Sequence, residues 1–373
     1  MPQYLWQHPS WPHFKWSKDA LFKLLGEAKK SQAFILAQGN LLDANDEMEF
    51  FTEEAYTTSA IEGEFLDKDA IRSSVAKRLG LETAGMPPIK RKSDGVVEVL
   101  VDATTNYRSA LTHERLCSWH AALFPTSYSG MNKILVGEYR TSDEPMRVIS
   151  GRIGKERIHY EAPSSARVQR EMSDFLEWWN TPAAESDGII RAATAHLWFV
   201  SIHPFDDGNG RIARAITDMA LAQDEKTSKR LYSLSFQILQ DKKNYYDILE
   251  KTQKGDGDIT EWIVWFISMF IQSIENSKSV IEKSVFMAKF YKNFADKSFN
   301  ERQWKVIKKL LEHLPEDFTG GLTNKKYVNM TGTSSESAKR DLKDLVEHGV
   351  LLKNENKGRS TSYRLNRNFR KSE

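Results

Sequence analysis

The chain has 373 residues, of which 40% are hydrophobic and 28% are charged, a composition typical of a globular protein of two or three domains. A single cysteine, Cys117, excludes an internal disulfide framework and a cysteine-rich zinc site. The net charge of +2 hides a basic C-terminal part, because 12 Lys and Arg stand against 6 Asp and Glu from Thr323 onwards. This asymmetry indicates that the C-terminal part has a partner of its own.

The N-terminal region, residues 1–90, is predicted to form a helical domain. It starts with an aromatic stretch at residues 6–16, which prolines interrupt and which we expect to pack as an extended strap over the core. Apolar residues at helical spacing predict helices at residues 19–37, 52–61 and 69–79. The second helix is expected to end near Gly63, and a Gly-Met-Pro-Pro run at residues 85–88 breaks the pattern.

Residues 91–285 are predicted to form a central, mainly helical domain. Two β-like runs at residues 147–151 and 156–160 flank a glycine-containing turn at residues 151–154. They predict a small hairpin, which is the only strand structure we expect before the C-terminal part. Helices are predicted at residues 165–179, 189–202, 211–222, 241–252 and 259–283.

Residues 286–373 are predicted to form a winged-helix domain. Helices at residues 301–313, 324–330 and 335–348 are followed by strands at residues 350–353 and 360–365. The recognition helix would present Ser335, Ser337, Lys339 and Arg340, and the wing Lys357, Arg359 and Arg364. Nucleic-acid binding and a role in dimerisation or target docking are both consistent with this pattern, since a fold does not decide a function.

The segment from His203 to Arg214 reads His-Pro-Phe-Asp-Asp-Gly-Asn-Gly-Arg-Ile-Ala-Arg and lies between two predicted helices. Pro204 ends the first helix, and the glycines allow a tight loop. The first N–H groups of the second helix have no partner within the helix, so they form a pocket that favours anions.

Charged side chains complete this segment as a phosphate-transfer site. Arg211 and Arg214 are three residues apart and add cations on one side of the helix. Asp207 offers a carboxylate to a hard cation such as Mg²⁺. His203 is the natural proton acceptor.

The same segment resembles the signature of the Fic family, His-Pro-Phe-x-Asp/Glu-Gly-Asn-Gly-Arg-x-x-Arg, at every specified position. The resemblance covers about residues 56–270. It implies a Fic-type helical core with a β-hairpin flap, and transfer of AMP from ATP to a hydroxyl of a target protein or of the chain itself. It further implies that His203 deprotonates the incoming hydroxyl and that Asp207 holds Mg²⁺.

The remaining site residues are also implied by this resemblance. The phosphate-binding residues would be Gly208, Asn209, Gly210 and Arg211 at the α- and β-phosphates, and Arg214 at the γ-phosphate. The flap, which aligns the target by backbone pairing, would include Ile158, His159 and Tyr160. Candidates for the adenine and ribose side, for which simple packing is an equal alternative, are Tyr245, Tyr246 and Gln253.

A further motif, Thr58-Ser-Ala-Ile-Glu62-Gly63, resembles the inhibitory motif of Fic proteins whose inhibitory helix precedes the core. Thr58 and Glu62 would share one face of a helix at about residues 52–63. Pairing of Glu62 with Arg214 would remove the γ-phosphate clamp and misplace the α-phosphate of bound ATP. In some relatives this glutamate also supports removal of AMP, so a bifunctional enzyme stays open. Taken alone, the motif is more often an ordinary helix ending than an inhibitory one.

Two function classes follow from these observations. The first is a protein adenylyltransferase or AMP hydrolase with an accessory winged helix. The second is a DNA-binding regulator whose Fic core senses nucleotide. An intact His203 favours the first, because a sensor does not need the base. We expect a cytoplasmic homodimer with no membrane partner, since no signal peptide is visible and the most apolar runs, residues 189–202 and 262–274, are too short to span a bilayer.

Overall fold

The structure is a computed structural model that describes residues 3–39, 42–151, 155, 157–181, 187–314, 318–354 and 361–368. It divides into two compact units, Met1–Ser277 and Lys278–Glu373. The prediction of a mainly helical chain is confirmed. No helix formed by these described residues is long and apolar enough to cross a membrane.

The first part of unit one contains five helices: α1 (Lys18–Gly39), α2 (Ala44–Ile61), α3 (Lys68–Arg78), α4 (Arg91–Thr105) and α5 (His113–Leu123). The second helix begins earlier than predicted because the Asp43 side chain caps it, accepting from the N–H groups of Asn45 and Asp46. Neither α4 nor α5 was predicted. The valine-rich sequence of α4 resembles a strand locally, and only its packing against α5 and α8 makes it a helix.

Two small hairpins follow. The first pairs β1 (Tyr128–Ser129) with β2 (Asn132–Lys133), and the second pairs β3 (Arg147–Ser150) with β4 (Arg157–Glu161). The second hairpin was predicted, although most of its turn, residues 152–154, lies outside the described residues. The prediction that it is the only strand structure before the C-terminal part was wrong, because two-residue strands such as β1 and β2 leave no periodic signal.

The rest of unit one is helical: α6 (Ser165–Asn180), α7 (Gly188–Ile202), α8 (Asn209–Glu225), α9 (Leu234–Gln240), α10 (Lys242–Gln253) and α11 (Thr260–Asn293). The centre of the unit is the pair α7 and α8, which pack against each other, while α2, α4 and α5 contact α8. From Ile189 to Ile202, every residue of α7 except Arg191 is buried. A helix that is apolar on all sides is stable only where other elements bury every side of it. The short α9 was not predicted, and α11 extends beyond its predicted end and contains the division between the units.

The strap at the N-terminus begins in a short 3-10 turn, Leu5–Gln7, and continues through turns at residues 8–13, so the predicted extended conformation is wrong for this part of it. The Trp6 Nε1 donates to the carbonyl of Glu161 at 2.8 Å, and the Trp11 Nε1 donates to the carboxylate of Glu171 at 2.7 Å. Lys15 exchanges main-chain hydrogen bonds with residues 257 and 259. The strap therefore ties the second hairpin, α6 and the start of α11 together.

Unit two consists of the end of α11, α12 (Glu301–Glu312), β5 (Leu322–Thr323), α13 (Asn324–Thr331), α14 (Ser335–Glu347), β6 (Leu351–Lys353) and β7 (Ser362–Leu365), with strand order β5-β7-β6. Asp341 organises its core, accepting from the Tyr327 hydroxyl at 2.9 Å and pairing with Arg302 at 2.9 Å. The helices and the ribbon follow the predicted order, with β5 in addition. The winged-helix assignment stays a prediction, and Lys357 and Arg359 lie outside the described residues.

Candidate active site

The loop between α7 and α8 brings the two ends of the predicted site together. His203 ends α7 in the left-handed conformation (φ 54°), and Gly208 precedes α8 with φ 78°. There is also no room for a side chain at Gly208, because a Cβ would lie 2.8 Å from the Phe124 ring. A left-handed non-glycine residue is strained and persists only where its surroundings hold it.

Arg140 supplies that support and was missed by sequence reasoning. Its Nε donates to the carbonyl of His203 at 2.8 Å, and its own backbone N–H donates to the carbonyl of Pro204 at 2.9 Å. The guanidinium also donates to the carbonyl of Pro163. Arg140 is buried and lies outside any regular element, so no periodic pattern marks it.

Two side chains hold the middle of the loop. The amide of Asn209 both accepts from the N–H of Phe205 at 3.0 Å and donates to its carbonyl at 2.8 Å. His120 stacks on the ring of Phe205 with centroids 4.3 Å apart and lies 3.2 Å from the carbonyl of Asp207. Burial lowers the pKa of His120 to about 4, so its ring is neutral. Asn209 was predicted to help bind phosphate, but here its side chain shapes the loop.

The imidazole of His203 has a defined tautomer. Its Nδ1 lies 3.1 Å from the carbonyl of Val200, and because a carbonyl can only accept, Nδ1 carries the proton. Nε2 is left with its lone pair, as a base requires. Burial lowers the pKa of His203 below its ordinary value, and the Arg140 charge adds to this; the Val200 carbonyl, Asp207 and Glu62 oppose it. His203 is therefore neutral near pH 7.

The N-terminus of α8 offers main-chain donors next to this base. The N–H groups of Asn209 and Gly210 have no hydrogen-bond partner within the described part of the chain. The carboxylate of Glu62 lies against Gly210, where even a Cβ would collide with it. The N-terminus of α8 is therefore already approached by a negatively charged group of the protein itself, the Glu62 carboxylate.

Glu62 also occupies Arg214. Its carboxylate lies 2.7 Å from Nη2 of Arg214, while Thr58 accepts from the same guanidinium through its hydroxyl at 2.7 Å and its carbonyl at 2.8 Å. Two of the three predicted inhibitory residues, Thr58 and Glu62, thus contact Arg214, and Gly63 (φ 80°) turns the chain after α2. Nη1 of Arg214 is buried without a hydrogen-bond partner in the described part of the chain.

A second carboxylate, which sequence reasoning missed, pairs with the other arginine. Glu64 lies 2.8 Å from Nη1 of Arg211, whose guanidinium stacks on the Phe124 ring at 4.8 Å. Lys92 also contacts Glu64. Nε of Arg211 is buried without a hydrogen-bond partner among the described residues. Both arginines of the motif are therefore paired with carboxylates, Glu62 at the end of α2 and Glu64 on the turn after it, and each still has a donor without a partner among the described residues.

Asp207 was predicted to hold Mg²⁺. One of its carboxylate oxygens accepts from the N–H of Gly208 at 2.6 Å, and the other accepts from the hydroxyl of Ser129. Among the described residues, no group of three or more His, Cys, Asp or Glu side chains is arranged to bind a metal. Mg²⁺ commonly takes one or two carboxylates and completes its shell with phosphates and water. Asp207 fits a cation that arrives with a nucleotide.

A cavity of about 570 Å³ opens beside His203, Asp207 and Gly210 and is walled by the second hairpin and α10. The hairpin wall includes residues 147–150 of β3 and two of the three predicted flap residues, His159 and Tyr160 on β4. The third, Ile158, is exposed and lies outside the cavity lining. Tyr160 is buried, and its hydroxyl donates to the carbonyl of Ser201 at 2.6 Å. It anchors the hairpin to α7.

The hairpin is also fastened to α10 by Glu250, which sequence reasoning did not single out. The carboxylate lies 2.6 Å from Nδ1 of His159 and 3.0 Å from the guanidinium of Arg157. Partial burial would raise the pKa of Glu250, but hydrogen bonds from Lys254, His159 and Arg157 outweigh it and lower the pKa to about 2. Glu250 therefore stays ionised at any ordinary pH.

The three candidates for the adenine and ribose side all line the cavity. Tyr245 is buried, with its hydroxyl 2.9 Å from Nε2 of His196. Gln253 is buried and donates to the Ser201 hydroxyl at 3.2 Å. Tyr246 is 37% exposed and presents its ring to solvent, so it has the surface most available to a ligand.

Comparison with known proteins identifies two regions of the chain. Residues 4–81 match the model of a domain of unknown function (DUF4172), and residues 110–221 match the model of the Fic/DOC family. Protein adenylyltransferase fic-1 of Caenorhabditis elegans is 35% identical over 78 residues, 20% of this chain and 15% of that protein. Protein adenylyltransferase Fic of Aedes aegypti is 22% identical over 233 residues, 62% of this chain and 42% of that protein.

The matches thus span less than half the length of these curated relatives. Among solved structures, a Fic family protein from Desulfovibrio desulfuricans G20 matches with a TM-score of 0.56 and 18% identity, over 93% of this chain and 95% of that one. At this identity the likeness shows the fold. The signature from His203 to Arg214 lies inside the matched residues. The chain therefore contains a Fic/DOC domain, at residues 110–221, and has the fold of Fic proteins.

Proposed function

We propose that the chain is a protein adenylyltransferase, which transfers AMP from ATP to a Ser, Thr or Tyr hydroxyl of a target protein and of itself. The observation that carries this proposal is the placement of a neutral His203, with its Nε2 lone pair free, beside the open N–H groups and arginines of α8. The relatives named protein adenylyltransferase support the same reaction class.

The chemistry follows from these groups. The target hydroxyl oxygen attacks the α-phosphorus of ATP while its proton moves to Nε2 of His203, and the bond from the α-phosphorus to the bridging oxygen of the β-phosphate breaks. The products are AMP-protein and diphosphate. The N–H groups of Asn209 and Gly210 bind the phosphates, with Arg211 and Arg214 as charge clamps. Mg²⁺, held by Asp207 and the phosphates, would neutralise phosphate charge.

The same site is switched off by its own glutamate in this proposal. Glu62 holds Arg214 and places a negative charge against Gly210, where phosphate oxygens must lie. A nucleotide bound beside this carboxylate cannot present its α-phosphate for in-line attack. Removal of AMP by hydrolysis, in which Glu62 orients a water molecule that replaces the protein hydroxyl on the phosphorus and releases AMP, belongs to the same proposal as a second activity of the site.

Labelling with radioactive ATP tests the reaction. Incubation of the chain with Mg²⁺ and ATP labelled at the α-phosphate is expected to label the protein, whereas ATP labelled at the γ-phosphate should leave it unlabelled. This pair separates AMP transfer from phosphorylation. Because Glu62 restrains the wild-type chain, the assay should include Glu62→Gly. Absence of α-label from both chains, with an added lysate as target source, would refute the proposal.

A DNA-binding regulator remains the second candidate, and the basic C-terminal part favours it. Lys339 and Arg340 are exposed on α14, and Arg364 lies on β7. A homodimer and a cytoplasmic location are part of the proposal and rest on the sequence alone. Gel-shift assays test DNA binding, and sedimentation of the purified chain tests the homodimer.

A further inference from the structure

A second large cavity, of about 830 Å³, lies in unit one and shares no lining residue with the cavity beside His203. Its walls combine aromatic side chains from the strap and from α6 and α7 with charged side chains of α6. We call it the aromatic groove, defined by Trp11, Phe14, Trp16, Trp178 and Trp198. Neither the proposed transfer of AMP nor its inhibition uses any of these residues.

The walls of the aromatic groove are held in place. The ring of Trp198 lies at the base and contacts Trp11, Phe14 and Trp178 with centroids 6.2, 5.8 and 5.2 Å apart. Trp198 is buried, whereas the other four aromatic residues are only partly covered. The hydrogen bond from Trp11 to Glu171 fixes the strap side. The groove is therefore a preformed surface of aromatic rings.

Two unused hydrogen-bond donors lie on these walls. The indole N–H groups of Trp16 and Trp178 have no partner within the described part of the chain. An indole N–H can only donate, so a ligand that satisfies it must carry acceptors. Trp198, at the base, also has an N–H that is buried without a partner there. The groove thus combines apolar ring faces with a demand for acceptor oxygens.

The α6 rim of the groove carries Asp174 and Glu177, and also Arg170 and Arg167, of which Arg167 is paired with Glu171. Asp174, Glu177 and Trp178 come from the same face of α6. Within the described residues the carboxylate of Glu177 has no partner, and Asp174 is approached only at 3.9 Å by Arg170, which is 88% exposed. Exposed pairs of this kind are weak, so both carboxylates remain open to a cation from outside.

We propose that the aromatic groove binds an extended, proline-containing segment of a partner protein that carries an Arg or Lys residue. Proline rings stack on flat aromatic walls, and an extended polyproline segment leaves its carbonyls free for the two indole donors. A bound helix would leave those donors unsatisfied, because its carbonyls are used internally. Asp174 and Glu177 attract the basic residue and repel an acidic segment.

Calorimetric titration of the full chain, without nucleotide, tests this site independently of AMP transfer. The probe is a short synthetic Pro-x-x-Pro peptide with an arginine at one end. We expect micromolar, one-to-one binding. Replacement of the prolines with alanine, or of the arginine with glutamate, is expected to weaken binding by about tenfold or more. No heat of binding up to millimolar peptide, or equal binding of the control peptides, would overturn the proposal.

Variants of the groove provide the second arm. Trp178→Ala removes a wall and a donor, and Glu177→Lys reverses the rim charge at an exposed position that should not disturb folding. Both should lower affinity by about tenfold or more. Glu261→Lys, the same charge change on an exposed residue outside the groove, should not. The assignment would be refuted if Glu177→Lys, and a Trp178→Ala chain that still folds, both bound the peptide as tightly as the wild type does.

Discussion

In the proposed reaction, two neighbours outside the signature prepare His203 for proton transfer. The carbonyl of Val200 fixes the tautomer, and Arg140 holds the strained main chain of His203 through its carbonyl. Burial and the positive charge of Arg140 keep the ring neutral. A base with these properties needs no carboxylate to orient it, since the carbonyl already does so.

Replacement of His203 with Ala should abolish AMP transfer and leave ATP binding largely intact. The lost base is expected to lower the transfer rate by ~10²–10⁴-fold. Rates of α-label incorporation, measured beside ATP affinity by calorimetry in the Glu62→Gly background, check this. Matching losses of transfer and ATP affinity would indicate that His203 only supports the loop.

The pH dependence of transfer should report the same group. His203 acts as a base when neutral, so activity is retained above its folded pKa and lost as pH falls through it. Because that pKa is lowered from the ordinary 6.5, the acid limb of kcat/KM should lie below pH 6.5. Glu62 raises the pKa of His203, so Glu62→Gly should move the limb to lower pH than Glu62→Asp does. A limb above pH 6.5 would contradict the assignment.

Release of Glu62 is the sharpest test of inhibition. Glu62→Gly frees Arg214 and removes a carboxylate from Gly210, so self-labelling is expected to rise about 5- to 150-fold, the range of typical coupling energies. Glu53→Gln removes a carboxylate from the same helix without touching Arg214 and serves as the control.

Arg214→Ala tests whether inhibition by Glu62 and binding of the γ-phosphate depend on the same guanidinium. It removes the partner of Glu62 and the γ-phosphate clamp together, so it should not activate, and the double variant should behave like Arg214→Ala alone. An unchanged labelling rate with a lower Tm for Glu62→Gly would make Glu62 an ordinary helix-end residue. Slower loss of AMP from a pre-labelled target would assign Glu62 to the hydrolytic removal of AMP as well.

At the scale of elements, the end of α2 and the second hairpin both border the candidate site. The end of α2 supplies Thr58 and Glu62, and the turn after it supplies Glu64, so one segment occupies both arginines of the signature. The hairpin is held through Glu250 on α10 and through the buried Tyr160. Movement of α2 would open the phosphate site, and movement of the hairpin would change target alignment.

Elements with a strong apolar period or a glycine turn were predictable from the sequence. The helices α1, α3, α6, α7 and α10 follow from apolar spacing, and the hairpin follows from its glycine turn. The valine-rich α4 and the seven-residue α9 were not, because their local sequence does not distinguish helix from strand or loop. The residues that hold the loop and the arginines in place, Arg140, His120 and Glu64, come from distant segments, and only the folded chain brings them together.

The fastening of the hairpin by Glu250 should affect targets more than nucleotide. Glu250→Gln removes the charge that pairs with His159 and Arg157, so the hairpin is expected to lose its fixed position. A small misplacement of a reacting group lowers rates by up to about a hundredfold, and we expect a ten- to hundredfold lower kcat/KM for the protein target.

Glu261→Gln, which removes an exposed carboxylate paired with Lys251, is the matched control. ATP affinity should be unchanged in both variants. Equal effects of Glu250→Gln on ATP affinity and on target labelling would show that Glu250 supports the nucleotide side instead.

At the scale of the whole molecule, the two units carry opposite charge. The basic excess lies from Thr323 onwards, whereas the rest of the chain is slightly acidic. Two lysines of α14 have acidic neighbours on the same helix, Lys339 with Glu336 at 2.8 Å and Lys343 with Glu347 at 3.5 Å, whereas Arg340 is an exposed cation that a polyanion could reach. This arrangement makes DNA the partner to test for unit two.

If unit two binds DNA through α14, the double substitution of Lys339 and Arg340 with Ala should weaken binding and flatten its salt dependence. Each lost phosphate contact lowers the slope of log K against log salt by about 1, so the pair should lower it by about 2. Gel shifts of the full chain at several salt concentrations measure this. Substitution of Lys308 and Lys309 on α12 makes the same change in net charge away from α14 and should leave the slope nearly unchanged. Equal slopes for the two double variants would show that only net charge matters, and absence of binding by the wild-type chain would assign α14 to dimerisation or target docking.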